Sequence, residues 1–213
     1  MMISPESYYE SELKGKNVDQ IMSCIRGLKK EIGHCKNVLE NPYEYEAEMA
    51  TLPSPDTRLC VTRDYLERAK IALTDAGGVY IPTVKERLVD KINHALKFLK
   101  TVEFGIGGYF GGYTKYHVSL GKRMEYYVEH SLMPVPSNPK NIEIPFSESE
   151  LKEMLQSLYL GEWEHRYVNP HVCDGTQWSL RLTFSDGRKT LEYYGSNAYP
   201  WCFSTLSEFF GRR

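Results

Sequence analysis

What the chain lacks narrows its class first. No apolar run approaches the roughly 18–20 residues that span a bilayer, and Met1 to Leu13 does not join a basic start to an apolar core. A soluble, non-exported, cytoplasmic protein is therefore expected. Basic excess is also missing: Lys+Arg 26 against Asp+Glu 28 gives a net charge of -2, which argues against a dedicated nucleic-acid binder while leaving room for a local basic patch. Cysteines show no pairing pattern. Cys24, Cys35, Cys60, Cys173 and Cys202 are odd in number and contain no Cys-x-x-Cys, so neither a disulfide framework nor a closed zinc site is expected. The run Gly105, Gly107, Gly108, Gly111, Gly112 lacks the Gly-Lys-Ser/Thr ending of a phosphate loop, and bulges, tight turns or close strand approach account for it better. No cofactor and no metal is expected.

Tyrosine, by contrast, is abundant, with 16 copies. Aromatic rings give contact area at small entropic cost and also suit strands. The most legible stretch is Gly175 to Pro200. Trp178, Leu180, Leu182 and Phe184 alternate with Ser179, Arg181 and Thr183, and Leu191 and Tyr193 alternate with Thr190, Glu192 and Tyr194. That period of two predicts a hairpin with one buried face, turning at Asp186-Gly187. A short helix around Ser204 to Phe210 should close the chain.

The N-terminal half reads differently. Ser4-Pro5 starts a short helix ended by Gly15, and Asn17 with Gln20 forms a capping box. Val18, Ile21, Ile25, Leu28, Ile32, Cys35 and Leu39 then recur at steps of three and four, a coiled-coil-like seam. After a Pro-containing acidic loop, Ser54-Pro55 opens a second seam of Leu59, Thr62, Leu66, Ala69, Leu73 and Ala76, stopped by Gly77-Gly78. A third helix follows the Thr83/Glu86 capping box. From Thr101 the chain turns to Gly, Tyr and β-branched residues, with strands expected at Val102–Tyr109, Tyr113–Leu120 and Arg123–Leu132, the last two joined at Gly121-Lys122. A helix capped by Ser147 and Glu150 comes next.

The predicted class is α+β: a helical region over 1–100, made of an antiparallel hairpin (17–77) and a third helix (83–100), and a domain over 101–213. The latter is expected to be an antiparallel sheet of about five strands with two helices on one face.

His165, His171, Cys173 and Asp174 are the densest cluster of reactive side chains, able to supply metal ligands or a Cys nucleophile beside a His base, against the plainer reading of a loop before a strand. Gly195-Ser196-Asn197 reads as an exit from the sheet. Arg26, Lys29 and Lys30 make one stretch of the second helix basic, a candidate for phosphates or an acidic protein, against a solvated face with ordinary ion pairs. Tyr109, Phe110, Tyr113, Tyr116, Tyr126 and Tyr127 are the candidate interface anchors.

Trp163 and Tyr167, then Asp174-Gly175-Thr176-Gln177-Trp178, Asp186-Gly187 and Gly195-Ser196-Asn197-Ala198-Tyr199-Pro200, form a pattern that resembles a set of small bacterial proteins common in gut Firmicutes and their mobile elements. Tyr8-Tyr9, Leu13-Lys14-Gly15-Lys16 and Arg63-Asp64-Tyr65-Leu66-Glu67-Arg68-Ala69 are similar to proteins of the same origin. The resemblance brings no assigned reaction. It implies an accessory protein of a bacterium or its mobile element, a class that includes inhibitors of host defence (anti-CRISPR-like). The function expected is non-enzymatic binding of a protein partner. Alternatives are nucleic-acid binding through the basic hairpin and a hydrolase or transferase using Cys173 with His165 or His171. The paired seams allow either a monomer or a homodimer through the hairpin.

Overall fold

The computed structural model describes residues 2–108, 111–131, 140–141, 144–172 and 174–211. The chain divides into two compact units, Met1–Pro82 and Thr83–Arg213.

In the first unit, helix α1 (Pro5–Tyr8) starts where the Ser4 hydroxyl accepts the Ser7 amide at 3.1 Å, and it runs into a wide turn, Tyr9–Leu13. Gly15, at φ 77°, turns the chain into α2 (Val18–Glu40). The Asn17/Gln20 capping box closes with both bonds at 3.0 Å. A short α3 (Glu46–Met49) lies in the loop before α4 (Pro55–Asp75), which ends at Gly77, φ 80°, with the Gly78 amide on the Leu73 carbonyl at 2.8 Å. Ile21, Ile25, Ile32 and Cys35 of α2 and Leu59, Thr62, Leu66, Ala69 and Leu73 of α4 are buried, as the two seams predict. The match is not complete: Val18 and Leu28 are only half-buried, Val38 rather than Leu39 is buried at the end of α2, and in α4 Ala72 is buried while Ala76 is exposed.

The second unit begins with α5 (Val84–Ala95), capped by Thr83 and Glu86. Grouped with the helical region on sequence, α5 belongs with the sheet: Ile92, Ala95 and Leu96 join the same core as the strands. Strands β1 (Leu99–Gly108), β2 (Gly112–Leu120), β3 (Met124–Ser131) and β4 (Lys140–Asn141) follow, then α6 (Glu148–Ser157), β5 (Arg166–Val168), β6 (Thr176–Phe184), β7 (Leu191–Ser196) and α7 (Phe203–Gly211). The sheet order is β4-β3-β2-β1-β6-β7-β5.

Two expectations about this sheet are corrected. Among the described residues it has six strands of three residues or more plus the two-residue edge β4, not about five, and it is mixed, because β5 runs parallel to β7. The cause lies in the loop expected before Trp178. Three of its residues, Arg166–Val168, pair with Tyr194–Ser196 and seat Tyr167 against Trp178, ring centroids 6.0 Å apart. The β2–β3 turn is also longer than a two-residue one, since Leu120 faces Met124.

One side of the sheet is apolar. Val102, Phe104, Val118, Tyr126, Trp178, Leu180, Leu182 and Tyr193 share a core with Leu151 and Leu155 of α6 and Leu206, Phe209 and Phe210 of α7. Phe210 lies 5.4 Å from both Phe104 and Tyr116 between ring centroids. Helices therefore pack on this side, as expected, with α5 added to the two predicted.

Candidate functional site

The other side of the sheet is polar, and strand parity assigns its residues. Thr101, Glu103, Gly105 and Gly107 of β1 face the same way as Tyr113, Lys115, His117 and Ser119 of β2, Glu125, Tyr127 and Glu129 of β3, Gln177, Ser179, Arg181 and Thr183 of β6, Glu192 and Tyr194 of β7, and Arg166 of β5. Two rows cross the strands. The first runs Glu129, Lys115, Gly105, Ser179, Tyr194, Arg166, and the second Tyr127, His117, Glu103, Arg181, Glu192. Charges along the second row alternate. Glu103 sits 3.4 Å from both Lys115 Nζ and His117 Nδ1, Arg181 Nε is 3.0 Å from Glu192 Oε1, and the Tyr127 ring stacks on His117 at 4.5 Å.

A groove of about 440 Å³ opens on this face. Its floor lies at Gly105, where the missing side chain leaves a trough: a Cβ there would meet only Ser179 Oγ, at 3.1 Å. Lys115 and Arg166 stand on opposite sides of the trough along that row, with Glu129 beyond Lys115, and Arg181 and Glu192 lie at its side. His165 lines one edge. Its Nδ1 donates to the Glu192 carbonyl at 3.0 Å and its ring stacks 5.5 Å from Tyr193, which fixes the imidazole against the sheet.

The aromatic candidates separate by parity. Tyr113 is exposed and Tyr127 half-buried on the polar face, joined by exposed Tyr194, which the sequence reading had not singled out. Tyr116 and Tyr126 point the other way. Tyr126, 5% exposed, packs on Phe146, and burial pushes its phenol up to about 12. Tyr126 cannot anchor a partner without opening the core, and Tyr116 is partly buried against that core. Tyr109 and Phe110 lie outside the described residues.

Cys173 also lies outside them. His171 is exposed in a turn where its backbone amide donates to Asn169 Oδ1 at 3.0 Å. Cys24, Cys35, Cys60 and Cys202 are free thiols, and burial, with Glu31 alongside, pushes that of Cys35 up to about 11. Among the described residues no group of three His, Cys, Asp or Glu is placed to hold a metal ion, and no helix is long and apolar enough to cross a membrane.

The basic helices are largely occupied within their own unit. Lys29 and Lys70 both lie 4.9 Å from the centre of the Tyr80 ring, Arg68 lies 3.8 Å over Tyr9, and Arg58 pairs with Glu31. Arg26 and Lys30 remain exposed on α2.

The C-terminal motif residues are structural. Trp178 Nε1 donates to the Ala198 carbonyl at 2.9 Å while its ring covers Gly195, so a side chain at Gly195 would occupy the indole's place. Gly175 is held against the Asn197 amide in the same way, and Asn197 takes φ 55° as the chain leaves the sheet. Trp163 meets Trp178 edge-on at 5.9 Å. The pattern thus defines a packing unit, and none of these groups faces the groove. No protein-family model, no curated protein and no solved structure matches the chain.

Proposed function

We propose that this chain is a binding protein with no reaction of its own, and that it holds a protein partner on the polar face of its sheet. The observation that carries this reading is a sheet face whose described strand side chains are polar and largely exposed or half-buried, displaying Tyr113 and Tyr194 among charges of alternating sign. Exposed tyrosines supply rigid contact area, and a mixed charge pattern selects orientation and partner. The strand positions of this face carry Glu103, Glu125, Glu129 and Glu192 against Lys115, Arg166 and Arg181. A net negative face repels a phosphate backbone, which favours protein over nucleic acid as the partner. The resemblance of the C-terminal motif supports a bacterial or mobile-element setting, in a cytoplasm, with inhibition of a host defence system as the particular role.

The test is affinity capture from lysate of a related bacterium, with nuclease treatment, comparing the natural chain with Tyr113→Ala/Tyr194→Ala. A specific protein should be captured by the natural chain and lost by the variant. Equal capture by both would overturn the surface assignment, and recovery abolished by nuclease would replace the protein partner with nucleic acid.

A further inference from the structure

The first of the two rows has an unusual profile. From β2 to β5 it runs Lys115, Gly105, Ser179, Tyr194, Arg166, so the two smallest side chains lie together in the middle and a cation stands at each end. Neighbouring strands are about 4.8 Å apart, so four strand spacings separate the ends by roughly 19 Å. The depression between them is the groove over Gly105.

The charges are available to a ligand. Arg166 is exposed at the edge of the sheet and forms no ion pair among the described residues. Lys115 lies 3.4 Å from Glu103, with Glu129 opposite it on β3, and Arg181 pairs with Glu192 in an exposed pair. Exposed pairs of this kind are worth little and exchange readily for an incoming carboxylate. The lining carries Lys115, Arg166 and Arg181 against Glu103 and Glu192, so the groove is locally positive on a face that is negative as a whole. That contrast separates this spot from its surroundings and selects an acidic group in a particular place. A guanidinium also binds carboxylate through two parallel hydrogen bonds.

We propose that the groove over Gly105 binds an acidic peptide segment of the partner protein, a refinement that rests on the open-face reading above. An extended chain advances about 3.3 Å per residue, so roughly 19 Å corresponds to about six residues, and inward-leaning side chains shorten this to about four. The segment carries two acidic residues about four to six positions apart. One meets Lys115 and the other Arg166, with small residues between them seated over Gly105 and Ser179.

The test is a titration of the full chain, followed through its backbone amide resonances, with the acetylated and amidated hexapeptide Glu-Gly-Ser-Gly-Ser-Glu. The same peptide with Lys at both ends and inorganic phosphate at equal ionic strength serve as controls. Saturable shifts are expected at residues 105, 115, 166, 179 and 194 with the acidic peptide alone. Arg166→Glu should weaken the affinity at least tenfold. Gly105→Leu, which fills the trough, should abolish the shifts while leaving the remaining spectrum in place. The inference is overturned if the acidic peptide produces no localised shifts, if the Lys peptide matches it, or if phosphate alone reproduces the pattern. Should it fail while Tyr113→Ala/Tyr194→Ala still loses the captured protein, the pocket is wrong and the open face stands. Capture indifferent to that variant removes the open face itself.

Discussion

The two units use the same residue type in opposite ways. In the helical unit most tyrosines clamp the structure to itself, Tyr43 being the exposed exception: Tyr8 stacks on Tyr65 at 4.2 Å, Tyr9 lies under Arg68, and Tyr80 lies between Lys29 and Lys70. Its polar groups are likewise turned inward, with Glu31 on Arg58 and His34 Nε2 2.7 Å from Glu48. In the sheet unit the aromatic residues are sorted. Trp178, Phe104, Tyr126 and Tyr193 fill one side, while Tyr113 and Tyr194 stand on the other among charges. Aromatic content alone therefore says nothing about binding. What matters is whether a ring has already found its partner within the chain.

That contrast can be tested unit by unit, because Trp163, Trp178 and Trp201 all lie in the sheet unit and their fluorescence reports on it alone. The largest effect is expected from Trp178→Ala, which empties the centre of the motif and breaks the bond to Ala198. The sheet unit should lose about 3–5 kcal/mol, read from denaturant unfolding by fluorescence. Ile25→Ala, in the helical seam, should cost about 2–4 kcal/mol in the far-ultraviolet circular dichroism transition and leave the fluorescence transition in place. A fluorescence shift as large as the dichroism shift would show that the units unfold as one.

A smaller effect is expected at Glu31. Its hydrogen bond to Arg58 holds the carboxyl below its ordinary value of 4.5. A depressed carboxylate stabilises the fold fully above its unfolded value, and that contribution is lost as pH falls through the lower folded value. Glu31→Gln should therefore cost little, below about 1 kcal/mol at neutral pH for so exposed a pair, and should flatten the decline of helical stability below 4.5. An unchanged acid limb in the dichroism transition would dismiss the pair as a contributor. Least of all should change with Tyr113→Ala or Tyr194→Ala, each within about 0.5 kcal/mol by either probe, because neither ring belongs to the core. A larger loss would mean that the polar face is structural.

Much of this arrangement is legible from local chemistry. The capping boxes at Asn17, Thr83 and Ser147 follow from residues within a turn of one another and form as their patterns predict, and the two helical seams do so over most of their length. The apolar face of the β6–β7 hairpin is equally plain from its alternation. The rest depends on partners distant in sequence. Strand β5 is three residues long, too short for a period to show, and it exists because β7 offers an edge and Trp178 a surface for Tyr167. The groove is less legible still, since Arg166, Ser179, Gly105 and Lys115 meet only through four strand registers. Strand parity was available to divide the tyrosines. Tyr126 and Tyr127 are adjacent and cannot share a face, and Tyr113 and Tyr116 are three apart, so grouping all four as surface anchors overlooked the period that the C-terminal hairpin displayed.

The central claim, that the polar face of the sheet holds the partner, is tested most directly by covalent capture. A photoreactive phenylalanine analogue is placed at Ser179, over the groove, or at Lys30, on the exposed side of α2, and irradiated in the presence of the captured protein. The account predicts a cross-linked partner from position 179 and none from position 30. A partner cross-linked from position 30 alone would move the binding surface to the helical unit and contradict the account.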